Sequence, residues 1–159
     1  MYQHDKIYDQ TLLLQQVDLF ITDAHLAVSL LANLSALLKL YYPEANWVGF
    51  YLVRGANLYL GPFQGNSACQ VIPFGKGVCG TAASTKTSQL VNDVLELENH
   101  IACDASSRSE LVVPIIVNDE IYGVLDIDAP TVAYFSAGDQ ELLEKLVSII
   151  EPVLPTLAY

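Results

Sequence analysis

From Leu111 to Ile127 the odd-numbered positions read Leu111, Val113, Ile115 and Val117, then Ile121, Gly123, Leu125 and Ile127, nearly all apolar. Side chains alternate faces along a strand, so this pattern calls for two paired strands with one core face in common. A chain built around such a hairpin must cover that face with other elements. Parity then sets the connection. Keeping both apolar sets together requires a three-residue loop, Asn118-Asp119-Glu120, because a two-residue turn would flip one strand relative to the other. In that register Glu110 pairs with Asp128 and Val112 with Asp126, so Glu110, Asp126 and Asp128 share the opposite face at one end. Like charges across a strand pair repel. The trio is therefore either a solvated sheet end or part of a covered pocket, and Val112, Ile116, Tyr122 and Val124 on the same face favour cover. In a covered trio at least one carboxyl keeps its proton at neutral pH and can act as an acid. The others would draw a cation, an ammonium group ahead of a hard metal such as Mg²⁺, for which no further ligand has an obvious spacing.

The flanks are helical. Leu12, Leu13, Val17, Phe20 and Ile21 recur at helical spacing, Asp23 is placed to cap a second helix, and Leu26, Leu30, Leu31, Leu34, Leu37, Leu38 and Tyr41 form a broad stripe that Pro43 ends. Residues 46–53 and 58–63 read as strands joined by a turn at 54–57, with brief strands at 70–73 and 87–91. Between these, Phe74 to Ala83 is a glycine-rich turn entering a helix. A polar loop runs up to Ser109, and Ser136 to Leu154 is an amphipathic closing helix. The expected fold is α+β: a mostly antiparallel sheet of five or six strands with the N- and C-terminal helices packed on one face. The expected organisation is a single domain over 1–159, with helices in 1–42, the sheet and its loops in 46–128 and a closing helix in 136–154. The apolar faces of residues 8–40 and 138–154 suit intramolecular packing and a homodimer equally.

Charge and cysteines narrow the function. With 7 basic and 18 acidic residues the formal net charge is −11, which argues against nucleic-acid binding and against docking on an anionic membrane. The opening residues are polar and lack a secretory signal, and the longest apolar run, Leu26 to Leu40, is too short and interrupted to span a bilayer. A cytoplasmic location is expected. There the three cysteines, separated by nine and 23 residues, form neither a disulfide framework nor a zinc pattern. Cys103 lies in the polar run HIACDASSRSE, and Cys69 ends the polar run Gly65-Asn66-Ser67-Ala68-Cys69. Cys79 lies between Val78 and Gly80 at a helix start, where burial is expected. Arg108 would favour a thiolate at Cys103 and Asp104 would oppose it. Two loop thiols can meet in a transient disulfide; the alternative is a hydrolase using Cys103 with His100 as base. Trp47 and Tyr51, four apart, share a strand face, as core aromatics or as a flat wall for the apolar end of a small ligand. The run Gly75-Lys76-Gly77 with Gly80-Thr81 fails the phosphate-loop pattern.

Five strings in order resemble the free methionine-(R)-sulfoxide reductases, stand-alone GAF-domain enzymes. They are Asn46 to Leu52 (NWVGFYL), Leu60 to Gly65 (LGPFQG), Ile72 to Ala83 (IPFGKGVCGTAA), His100 to Asp104 with Ser109 to Pro114 (HIACD and SELVVP), and Gly123 to Asp128 (GVLDID). The resemblance implies Cys103 as the nucleophile, Cys69 as the thiol that resolves it and Cys79 as a third member of the relay. It implies Glu110, Asp126 and Asp128 as pocket carboxylates, Glu110 also serving as proton donor, and Trp47 and Tyr51 as the wall around the substrate's methyl end. Free methionine sulfoxide is the implied substrate and thioredoxin the implied reductant, with no metal and no cofactor. Ala129 stands where a serine is common, and Val91-Asn92 precedes Asp93 where a proline is common; neither position carries a role. The rival is a GAF sensor module that binds a small ligand without chemistry. Such a module normally works with an output domain and has no use for three cysteines.

Overall fold

A computed structural model describes residues 9–101 and 103–158. The expected N-terminal helical segment 1–42 therefore begins outside the described residues. Helix α1 spans Gln10–Thr22 and α2 spans Ala27–Tyr41. Strands β1 (Trp47–Arg54), β2 (Asn57–Gly65) and β3 (Val71–Pro73) precede α3 (Gly77–Thr85) and β4 (Gln89–Val91). Then come β5 (Ser109–Val117), β6 (Glu120–Ala129) and α4 (Ala137–Ile150). All pairings are antiparallel, in a six-stranded sheet of order β3-β2-β1-β6-β5-β4.

The alternation along each strand sorts the side chains into two cores. Val48, Phe50, Leu111, Val113, Ile115, Leu125 and Ile127 face α1, α2 and α4, where Leu31, Leu34, Leu38, Leu143 and Leu146 complete a dry layer. The other face, with Trp47, Tyr51, Val112 and Val124, is covered by Val78, Cys79, Ala82 and Ala83 of α3 and by loops. The terminal helices thus occupy one face as expected. The smaller core on the other face frames the site.

The hairpin register is as expected, with Glu110 opposite Asp128 and Val112 opposite Asp126, but the loop is not. The turn has two residues, Asn118 and Asp119, both with positive φ (52° and 64°), the backbone of a tight hairpin turn that favours Asn and Asp. The parity that this turn breaks is restored by a bulge: Ile115 pairs with Gly123 while Ile116 pairs with Ile121, leaving Tyr122 extra. The bulge also exchanges two side chains. Tyr122 packs toward the large core, and Ile121, expected there, packs toward the site side.

Two helix ends also differ from expectation. Asp23 closes α1 and does not cap α2. The first turn of α2 is satisfied by the C-terminal segment, where the Ala27 N–H donates to the Ala158 carbonyl at 2.9 Å. Helix α4 ends at Ile150, since Pro152 offers no N–H to extend its ladder. At its start Ser136 and Asp139 form a capping box.

Candidate active site

β6 lies between β1 and β5 in the sheet, so the pocket residues converge across three neighbouring strands. Asp128 pairs with both Trp47 and Glu110, and Asp126 pairs with both Gly49 and Val112. Opposite Asp126 the sheet therefore has no side chain on β1. A Cβ on Gly49 would fall 2.3 Å from the Phe63 Cβ and 2.7 Å from the Trp47 Cη2. Gly49→Ala should accordingly push the aromatic wall off its strand, costing about 1–3 kcal/mol of stability and roughly 2–12 °C in Tm by scanning calorimetry. An unchanged Tm would show that this wall is not tightly packed.

The wall is a stack. The Trp47 ring lies 5.7 Å from Tyr51 and 5.2 Å from Phe63, nearly parallel to both. Phe63 was visible in the sequence only as an apolar residue of β2; it reaches the wall because Gly49 leaves room. Facing the wall are Glu110, Asp126 and Asp128, the first two buried and Asp128 half-buried. Cys79, on the first turn of α3, is buried and unpaired. Its S–H donates to Glu110 Oε1 at 3.8 Å.

Burial dominates the electrostatics. It pushes the Glu110 carboxyl well above the usual carboxylate range, with Asp126 and then Asp128 adding to the rise. Asp126 is raised by burial to about 6, held back by bonds from Cys79 and Glu110. Asp128 rises through burial, then through Asp126 and Asp104. The Cys79 thiol is also pushed up, by burial and then by Asp126 and Glu110, so it stays a thiol. At neutral pH the cluster holds protons. Asp126 Oδ1 is buried with no hydrogen-bond partner among the described residues. One ligand atom each from Cys79, Glu110 and Asp126 lies within 4.8 Å of the others, a spacing that an ammonium group or a metal ion can bridge.

Above the carboxyls two loops meet. Cys69 and Cys103 are joined by a disulfide with Cα atoms 5.2 Å apart. The cavity beneath measures about 30 Å³, room for a water or two. Trp47, Tyr51, Cys79, Glu110, Asp126, Asp128 and Cys103 all line it, as do His100 and Ile101. Cys69 is tied to this lining through its bond to Cys103.

The loop of Cys103 is held by residues to which the sequence reading gave no role. Asn46 Nδ2 donates to Asp104 Oδ2, Ser106 Oγ and Ser107 Oγ, each at 3.1 Å. Asn66 Nδ2 donates to the same Asp104 oxygen at 3.4 Å. Asp104 is thereby kept ionised, chiefly by its bond from Ser106. In the sequence Asn46 stands out only as the first residue of the NWVGFYL string, with no contact assigned to it. Arg108, expected to favour a thiolate at Cys103, is instead turned to Asp93, with Nη2 to Oδ2 at 2.7 Å and Nε to Oδ1 at 3.3 Å. His100 lines the cavity and is held neutral by burial. The partner of Cys103 is Cys69 and not this imidazole.

A GAF-domain profile matches residues 30–154. Over 129 residues the chain is 49% identical to the free methionine-R-sulfoxide reductase of Escherichia coli (strain K12), covering 81% of this chain and 78% of that one. The reduced form of fRMsr from Staphylococcus aureus superposes with a TM-score of 0.88 at 53% identity, covering 92% of this chain and 95% of that one. The free methionine-R-sulfoxide reductase of Neisseria meningitidis, solved in complex with its substrate, superposes at 0.90 with 39% identity, covering 98% and 93%. Likeness of this extent spans both cores and both cysteine loops, and so the chain belongs to the GAF family and, within it, to the free methionine-R-sulfoxide reductases.

Proposed function

We infer that the chain reduces free L-methionine-(R)-sulfoxide to methionine. The observation that carries this reading is the Cys69–Cys103 disulfide, whose Cys103 lines one pocket together with the aromatic Trp47 and Tyr51 and three carboxyl groups. In the reduced enzyme the Cys103 thiolate attacks the sulfoxide sulfur. The oxygen gains basicity as the S–O bond polarises, and protonated Glu110 is the donor beside it. Oxygen passes to Cys103 as a sulfenic acid and methionine leaves. The Cys69 thiol then displaces the hydroxyl, which departs as water, and the disulfide forms. A dithiol of the thioredoxin class restores both thiols by exchange. Cys79 is the third thiol of the relay, held protonated against Glu110 in the closed state.

Asp126, Asp128 and Glu110 hold the α-ammonium, and Trp47, Tyr51 and Phe63 enclose the methyl end. A peptide-bound methionine sulfoxide lacks the ammonium, and its chain would have to pass the two cysteine loops. Charge and enclosure together select the free amino acid. A reducing, cytoplasmic compartment suits this cycle, since the disulfide must be reopened at every turnover. The single-domain organisation over 1–159 follows from the same reading, and the outer faces of α1, α2 and α4 are where a homodimer would form. Among the described residues no helix is long and apolar enough to cross a membrane.

The test is NADPH consumption coupled through thioredoxin, with the free R sulfoxide, the free S sulfoxide and the N-acetylated R form. The free R form alone should turn over. Acetylation should lower kcat/KM at least about 100-fold through loss of the buried charge pair. Equal turnover of the acetylated form would sink the ammonium assignment, and no turnover with any form would leave a ligand-sensing GAF module.

A further inference from the structure

Two donors on β1 hold the loop that carries Cys69. The Tyr51 hydroxyl donates to the Cys69 carbonyl at 2.9 Å, and the Trp47 indole N–H donates to the Asn66 carbonyl at 3.2 Å. Both rings are almost wholly buried, at 1% and 2% exposure, so the donors are fixed points. Between their acceptors runs Asn66 to Cys69, a stretch past the end of β2 that belongs to no strand or helix. Such a stretch keeps one shape only as far as it is tied. Beside the disulfide, a side-chain bond from Asn66 Nδ2 to Asp104 Oδ2 also leads to the loop of Cys103. Neither donor is lost to titration: the indole N–H is permanent, and burial, then Asp126, hold the Tyr51 phenol above its ordinary value.

We propose that Trp47 and Tyr51 are positioning residues for the resolving thiol, mooring the Cys69 loop by their side-chain N–H and O–H so that Cys69 Sγ stays within reach of Cys103 Sγ. The proposal rests on the roles given above to Cys103 and Cys69. In the closing step the Cys69 sulfur attacks the sulfenic sulfur, the S–S bond forms, the S–O bond breaks, and the hydroxyl leaves as water with the proton given up by the Cys69 thiol. The step runs at a speed set by the local concentration of the Cys69 thiol around Cys103. With a mooring removed the loop samples more conformers, and the share that can close falls. The two aromatics then serve both halves of the cycle, as a wall for the substrate and as anchors for the thiol that follows it.

A thiol–disulfide equilibrium reads this without substrate. Wild type, Tyr51→Phe and Trp47→Phe are equilibrated in glutathione redox buffers, and the Cys69–Cys103 disulfide is quantified by alkylation and mass spectrometry. Tyr51→Phe keeps the ring and loses only the hydroxyl. Its equilibrium constant for closure should fall about tenfold, as expected for one lost hydrogen bond at the upper end of its usual worth, raising the potential by about 30 mV. Trp47→Phe should shift it in the same direction. A change under threefold in Tyr51→Phe overturns the proposal. A wall that only contacts substrate cannot move this number. The measurement needs no turnover either, so loss of the proposed activity and loss of the mooring are read separately.

Discussion

Cys103→Ser should abolish turnover of free methionine sulfoxide, lowering kcat by about 10⁴-fold or more, as removal of an attacking group typically does. Serine keeps the shape, but its hydroxyl is neither ionised at neutral pH nor able to carry the oxygen as a sulfenic acid. Cys69→Ser should differ in kind. The first oxygen transfer needs only Cys103, so this variant should release about one equivalent of methionine per subunit and then stall. A rapid-quench count of methionine against protein separates the two. If Cys103→Ser retained even a few per cent of the wild-type rate, the nucleophile would have to be sought elsewhere. A Cys69→Ser variant with no first equivalent would reverse the two assignments. The disulfide joins both residues symmetrically and does not distinguish attacker from resolver; the kinetics do.

The carboxyl cluster should trade stability for activity. Glu110→Gln removes the proton donor while keeping the shape, and kcat should fall by about 10²- to 10⁴-fold. Since the reaction requires protonated Glu110, kcat/KM of wild type should decline as pH rises through the Glu110 value, and this alkaline limb should be absent from Glu110→Gln. Glu110 and Asp126 interact closely enough that the limb reports the pair. Stability also falls as pH rises. Burial raises Asp126 from 3.8 to about 6, so its protonated form is favoured in the fold. Its contribution is full below 3.8 and is lost as pH rises through about 6, a difference of roughly 3 kcal/mol. Asp126→Asn should therefore be more stable than wild type at pH 8, by up to that amount, while binding substrate poorly. Asp93, lowered by its bond from Arg108, acts in the other direction on acidification, but as a single half-buried surface pair it contributes little. Urea titrations of both proteins at pH 4 and pH 8 measure the difference. An Asp126→Asn variant less stable than wild type at pH 8 would mean that a partner, not burial, controls this carboxyl.

The relation between fold and sequence is clearest at the β5–β6 hairpin. Alternation of apolar residues placed Glu110 opposite Asp128 and Val112 opposite Asp126, because one buried face admits one parity. It did not reveal how the parity is met. A two-residue turn with a bulge at Tyr122 and a three-residue loop give the same register beyond the bulge, and they differ only in which of Ile121 and Tyr122 faces the site. Likewise the stripe of α2 was legible, whereas its N-terminal cap came from residues more than a hundred positions away, at Ala158.

The sequence by itself determined the α+β architecture and the clustering of three carboxyls, since both rest on strand and helix periodicity. Its cysteine loops were recognisable through their resemblance to a known family. Only the tertiary structure decided what those loops touch. Arg108 went to Asp93 and not to Cys103, Phe63 joined the wall through the space at Gly49, and Asn46 became the clasp of the Cys103 loop. The physical reason is common to the three. Periodicity states which face a side chain occupies, but the partner of a polar loop residue depends on distances between segments far apart in the chain, and no local pattern encodes these.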